Sequence, residues 1–304
     1  MHHRLVRTLL LVALLGLSPL ALLLPAVGVS AISGPPGSTV DGGAAVAAPV
    51  QPRAPHPTGR PPASWAVGAA VAQAVADREG RVAVAVYQPS TGIGWARDGR
   101  APFPAASTAK LLLLGATLQR AAAEDRDLTA WERSLLEPMI RASDNDAADA
   151  LYRDLTPEAV QAYAEGAGLR GTAVDLEGSW GLSQVTAADL VLALDDLRRC
   201  ERYPQPLCDY AMDLLLSPEP FVDWGVGDGV PDGTAVAFKN GWLPSDDGSF
   251  WYVHAAALVT PAEAPDRAYL VSILTEYPAE LGLEYGQETL RLVSAAVWEA
   301  LARP

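Results

Sequence analysis

The stretch FPAASTAKLLLL, residues 103 to 114, decides how the rest of the chain is read. Lys110 stands directly before four leucines, a costly place to leave an ammonium group, and three residues after Ser107. At a helix start, positions three apart share one face, so the Lys110 amine can reach the Ser107 hydroxyl and accept its proton. Of the 22 basic residues in the chain, only Lys110 and Lys239 are lysines. Arginine keeps its proton in a protein, whereas burial or a neighbouring positive charge can make lysine neutral and therefore basic. Ser107 and Lys110 are thus a candidate nucleophile and base.

Two more segments bear chemistry. Ser143-Asp144-Asn145, within PMIRASDNDAADAL, breaks one helical pattern and begins another. Phe238-Lys239-Asn240-Gly241 puts the second lysine at an expected strand end, followed by a glycine that lets a ligand approach the backbone. Taken singly, each has an ordinary explanation: a helix-start serine beside a snorkelling lysine, an N-cap, an exposed strand end. Together, in this order and using both lysines, they point to one site.

Working outward, SWAVGAAVAQAVADREG, from Ser64 to Gly80, carries Val67, Val71 and Val75 on one helical face. RVAVAVY alternates valine with alanine, and after Pro89-Ser90-Thr91-Gly92 comes IGWA, which reads as a hairpin. From about Ser107 to Pro218 the pattern is helical, with a cap at Thr156-Pro157-Glu158 and a capping box at Thr186 to Asp189. TAVAFKN, FWYVHAAALV and AYLVSILTE then read as strands, before a last amphipathic helix from about Glu284 to Leu301. This order predicts an α/β domain of the α+β kind, residues 64–304. Both chain ends share one antiparallel sheet of about five strands, flanked by helices, and a helical lobe forms a cleft with it.

The order S-x-x-K, S-D-N, K-x-G resembles the class A β-lactamases and the wider penicillin-recognising serine hydrolases. The resemblance implies that Ser107 is acylated, Lys110 activates it, and Ser143 relays a proton to the departing nitrogen. It further implies that Asn145 contacts the substrate amide and holds Lys110, and that Lys239 attracts a substrate carboxylate and lowers the Lys110 pKa. The backbone N–H groups of Ser107 and Trp242 would form the oxyanion hole. The chain departs from the family in two ways. Asn240 stands where a hydroxyl is usual, near the substrate carboxylate. No E-x-x-L-N element follows the S-D-N, and Glu177, in GTAVDLEGSWGLSQVTAADL, is the candidate for activating a deacylating water, with Asp175 beside it. The span between S-x-x-K and S-D-N is also short for class A. The expected activity is opening of a β-lactam or related amide. The alternatives are a D-alanyl-D-alanine peptidase acting on peptidoglycan and a non-catalytic cell-wall binding protein on the same fold.

Other classes find little support. His254 is the sole histidine of the domain, which leaves no zinc centre, and a Ser-His-Asp hydrolase would have to use it without a G-x-S-x-G element. No cofactor is expected. With 36 acidic against 22 basic residues and no basic cluster, nucleic acid is a poor partner. Residues 1–31, with Arg4, Arg7, an apolar run from Leu9 to Leu24 and Val29-Ser30-Ala31, read as a cleaved export signal or a membrane anchor. Residues 32–63, rich in proline and glycine, read as a tether. An exported protein favours a disulfide between Cys200 and Cys208, which bracket ERYPQPL. The expected protein is a monomer outside the cytoplasm whose partner is a small molecule or a peptidoglycan fragment, with the membrane touched only through residues 1–31.

Overall fold

A computed structural model describes residues 63–302; residues 1–62, read above as an export signal or anchor followed by a tether, lie outside the described residues. The elements run α1 (Ala63–Ala74), β1 (Arg81–Gln88), β2 (Ile93–Arg97), β3 (Phe103–Pro104), α2 (Lys110–Ala123), α3 (Ala130–Arg141), α4 (Asn145–Leu155) and α5 (Pro157–Gly166). There follow β4 (Gln184–Val185), α6 (Ala187–Arg199), α7 (Gln205–Leu215), β5 (Ala235–Pro244), β6 (Phe250–Thr260), β7 (Tyr269–Pro278) and α8 (Gly282–Ala302). Five strands form one antiparallel sheet in the order β2-β1-β7-β6-β5, so the first hairpin joins the last three strands through β1 and β7. The α/β fold expected from the sequence is present.

Period-two alternation explains how the sheet buries both faces. Val82, Val84 and Val86 of β1 join Val253 and Val271 in a core with Val67, Val71, Leu290, Val293 and Val297 of α1 and α8. Ala83 and Ala85, between those valines, face the other way with Ala256, Leu270 and Leu274, against Leu111–Leu114 of α2 and Leu190 and Leu194 of α6. The small alanines let the helical lobe approach this face closely.

Several boundaries differ from the sequence reading. The first helix ends at Ala74, and Gly80 opens β1 at φ +89°. A Cβ there would stand 2.1 Å from Glu276 O, so the glycine serves the approach to β7. At Thr186 the hydroxyl caps Asp189 N at 3.1 Å, but no box forms: the Asp189 carboxylate instead accepts from Gly171 N and Thr172 Oγ1, at 2.8 and 2.9 Å. A true capping box joins Thr129 and Glu132 at α3. The expected end of β5 at Lys239 is also displaced. Residues 241–244 continue pairing with Trp251–His254, so Lys239, Asn240 and Gly241 lie inside an edge strand. Cys200 and Cys208 form a disulfide between the end of α6 and α7.

Candidate active site

Ser107 sits on a 3-10 turn, Ala106–Ala109, that runs directly into α2. Ala106 takes φ +46° and Ser143 φ +57°, left-handed conformations that a non-glycine residue holds only when its surroundings impose them. Such strain, of about 1–3 kcal/mol each, clusters at functional sites. The turn is fixed from behind. Ala105 N donates to Ser183 O at 2.7 Å, and β3 pairs with β4 just before it. His254, fully buried, holds Pro104 O with Nε2 at 2.9 Å while Nδ1 accepts from Thr275 N at 3.2 Å. Burial pushes its imidazole down to about 4. His254 therefore positions the segment before the serine and is no catalytic base.

Lys110 is fully buried, and its Nζ meets four oxygens: Ser107 Oγ at 3.1 Å, Ser143 O at 2.6 Å, Ser143 Oγ at 3.2 Å and Asn145 Oδ1 at 2.8 Å. Burial pushes the amine from its ordinary 10.5 to about 7, against Asp144 and Asp149, which favour the charged form. A neutral amine can donate two hydrogens, to Ser143 O and Asn145 Oδ1, and turn its lone pair to the Ser107 hydroxyl. Lys239 Nζ donates to Ser143 Oγ at 2.9 Å and Asn240 O at 2.9 Å. Burial, and then the charge of Lys110, hold Lys239 well below 10.5. Burial is the larger cause for both amines, and the two lysines meet at the Ser143 hydroxyl, where each disfavours the charged form of the other.

Gly241 explains how β5 meets the nucleophile. A Cβ at this position would stand 2.8 Å from both Ser107 N and Thr108 N, so only glycine lets the strand run beside the turn. The Ser107 N–H has no backbone acceptor among the described residues. It is left to face a ligand beside residues 241 and 242.

Two expected residues fall elsewhere. Alternation along β5 sends Asn240 to the face opposite Lys239. There its amide donates to Val222 O and Trp224 O at 3.1 and 2.9 Å, bracing the segment after α7. Both hydrogens of the amide are occupied, so Asn240 is a brace, not the carboxylate ligand expected. The Trp242 side chain shares that face and packs edge-on against Trp224, 5.5 Å between centroids. Glu177 is exposed, and its backbone N–H bonds Asp175 Oδ1 at 3.0 Å. Among the described residues it makes no bond to Ser107, Lys110 or Ser143. Asp175 is itself a turn residue, accepting from Glu177 N and Ser179 N.

The sequence reading missed Asp149 and offered Trp180 only as one of three tryptophans, with Trp242 and Trp251, that could line a site. Trp180 lies with its ring centroid 4.8 Å from Lys110 Nζ, and its Nε1 donates to Asp149 Oδ1 at 2.7 Å. Asp149 follows Asn145 by four residues on α4, and that spacing was the available signal. Among the described residues no cluster of histidine, cysteine, aspartate or glutamate could hold a metal ion.

Known proteins share this fold. The chain belongs to the β-lactamase enzyme family, whose sequence profile matches residues 66–131 and 132–301. No curated protein sequence matches it. Among solved structures, it is similar to the TLA-1 extended-spectrum β-lactamase at 16% identity and TM-score 0.70, covering 80% of this chain and 100% of that one. A β-lactamase from Sphaerobacter thermophilus aligns at 22% identity and TM-score 0.66, covering 78% and 97% of the two chains. An ancestral class A β-lactamase aligns at 22% and 0.66, covering 77% and 99%. These likenesses show the β-lactamase fold.

Proposed function

We propose that this chain is an exported active-site-serine hydrolase that opens a β-lactam or a related amide through an acyl-enzyme on Ser107. One observation carries the reading: an unbroken hydrogen-bonded run from Ser107 Oγ through Lys110 Nζ and Ser143 Oγ to Lys239 Nζ. Neutral Lys110 takes the Ser107 proton as Oγ attacks the carbonyl carbon. The N–H groups of Ser107 and Trp242 stabilise the oxyanion, and removing such a donor typically costs about 10²-fold or more in rate. As the carbon–nitrogen bond breaks, Ser143 gives its proton to the leaving nitrogen and is reprotonated from Lys110. Lys239, on the far side of Ser143, orients that hydroxyl and offers the positive end of the site to a substrate carboxylate.

A second reading, a D-alanyl-D-alanine peptidase acting on peptidoglycan, shares the acylation step. It is favoured by Glu177, which is exposed and, among the described residues, makes no bond to Ser107, Lys110 or Ser143, leaving a water without the expected base. Residues 1–31 would place either enzyme outside the cytoplasm, where both substrates occur. The test is labelling with a fluorescent penicillin followed by denaturing electrophoresis over time. The chain is expected to label and Ser107→Ala to stay dark; equal labelling of both would rule out the proposed chemistry.

A further inference from the structure

Hydrolysis of an ester on Ser107 needs a water beside the ester carbon and a base within reach of that water. Because Lys110 Nζ lies 3.1 Å from Ser107 Oγ, a water that reaches the ester from the Lys110 side sits beside that amine. The surroundings of Nζ are already filled by Ser107, Ser143, Asn145 and the face of the Trp180 indole, and Lys110 has no exposed surface. The two carboxylates that act on Lys110 are both engaged. Asp144 Oδ1 caps α4 through Ala147 N at 2.7 Å, and Asp149 Oδ1 holds the indole N–H at 2.7 Å. An indole donates but cannot accept, so Trp180 fills a base's position without being able to act as one.

The segment bearing Trp180 is built into place. Tyr152, on the same face of α4 as Asn145 and Asp149, donates its hydroxyl to Asp175 O. Val174 N donates to Gln161 Oε1 at 2.9 Å and Asp175 N to Ser183 Oγ at 3.0 Å, while Ser183 O holds Ala105 N beside the nucleophile.

We propose that Trp180, latched by Asp149, bars water from the acyl-enzyme and makes the Ser107 adduct long-lived. This rests on the serine-hydrolase reading and adds which residue decides the fate of the adduct. Release by water requires that a base take one water proton while the oxygen bonds the acyl carbon. The bond to Oγ then breaks and Oγ takes up that same proton from the base, directly or through Lys110, which is neutral after returning its own to Ser143. The protein acylates but, with the indole against Lys110 and that amine closed to solvent, has no base open to the incoming water.

The test replaces the indole with a base. Trp180→Glu alone would set two carboxylates side by side, so it is combined with Asp149→Asn, whose amide can donate to the new carboxylate. Parent and double variant are labelled with a fluorescent penicillin, chased with unlabelled penicillin, and the adduct is followed by electrophoresis and intact-mass measurement. The parent adduct is expected to persist, and the double variant to lose its adduct about 10²-fold faster or more, the range a general base supplies. Trp180→Phe, which keeps a ring but loses the N–H to Asp149, is expected to release faster than the parent and slower than the double variant. Should the double variant fail to fold, by its melting curve, Trp180→Phe decides alone: a lifetime equal to the parent's overturns the inference. A labelled parent that sheds its adduct as fast as the double variant also overturns it, while leaving the serine-hydrolase reading intact. Absence of any parent adduct while the penicillin stays intact overturns that reading and this inference together; absence of an adduct while the penicillin is consumed overturns this inference alone.

Discussion

Acylation should follow the ionisation of Lys110. An amine at the ordinary 10.5 would be neutral in roughly one molecule in 3,000 at pH 7, whereas at about 7 it is neutral in about half, a gain of about 10³-fold in available base. Below pH 7 the amine gains a proton and cannot accept the one on Ser107. The second-order acylation rate constant, measured by penicillin labelling, should therefore rise about tenfold per pH unit below 7 and level off above it. Asp144 and Asp149 favour the ammonium form, and Lys239 faces the pair through Ser143. Asp149→Asn removes one of the two carboxylates and should move the midpoint to lower pH. Lys110→Arg cannot become neutral and should acylate about 10²–10⁴-fold more slowly, without a midpoint near 7. A rate independent of pH from 5 to 9, or a Lys110→Arg variant with the parent profile, would refute the assignment of Lys110 as the base.

Three further outcomes are expected. Gly241→Ala drives a Cβ to 2.8 Å from Ser107 N and should displace the turn, reducing acylation about 10²-fold while the melting temperature changes little. Burial works against ionisation of Glu132, yet bonds from Arg126, Thr129 N and Arg120 hold its carboxyl down at about 2. Glu132→Gln should thus cost about 3 kcal/mol in denaturant unfolding at pH 7. The parent should lose this contribution as pH falls from about 4.5 through 2. Reducing the Cys200–Cys208 bridge should lower stability by ~2.5 kcal/mol through loop entropy, read as a lower unfolding midpoint with reductant, and leave acylation unchanged.

Much of the site was legible in the sequence because the chemistry proposed for it needs lysine and the chain holds two. Ser107, Lys110, Ser143 and Lys239 meet as their spacing implied, since each lies at a helix start or on a strand whose direction the hydrophobic pattern sets. The valine and alanine alternation in RVAVAVY likewise announced a sheet with a bulky face and a tight one. Asn240 was expected near the substrate carboxylate, but the sequence does not record that its amide is taken up by Val222 O and Trp224 O on the other face of β5. Asp149 and Trp180 were hidden for another reason. Their contact depends on a loop anchored by Tyr152, Gln161 and Ser183, and no local pattern records where such a loop will lie. Glu177 looked eligible because residue type is visible in a sequence, whereas distance to a serine 70 positions earlier is not.

The central claim is that Ser107 is the nucleophile of this site. Its most direct test is intact-mass measurement after exposure to a penicillin, with peptide mapping of any adduct. The prediction is one added mass equal to the whole penicillin, carried by the peptide containing Ser107 and missing from Ser107→Ala. No added mass while the penicillin stays intact, an adduct on another residue, or an equal adduct on Ser107→Ala would contradict it.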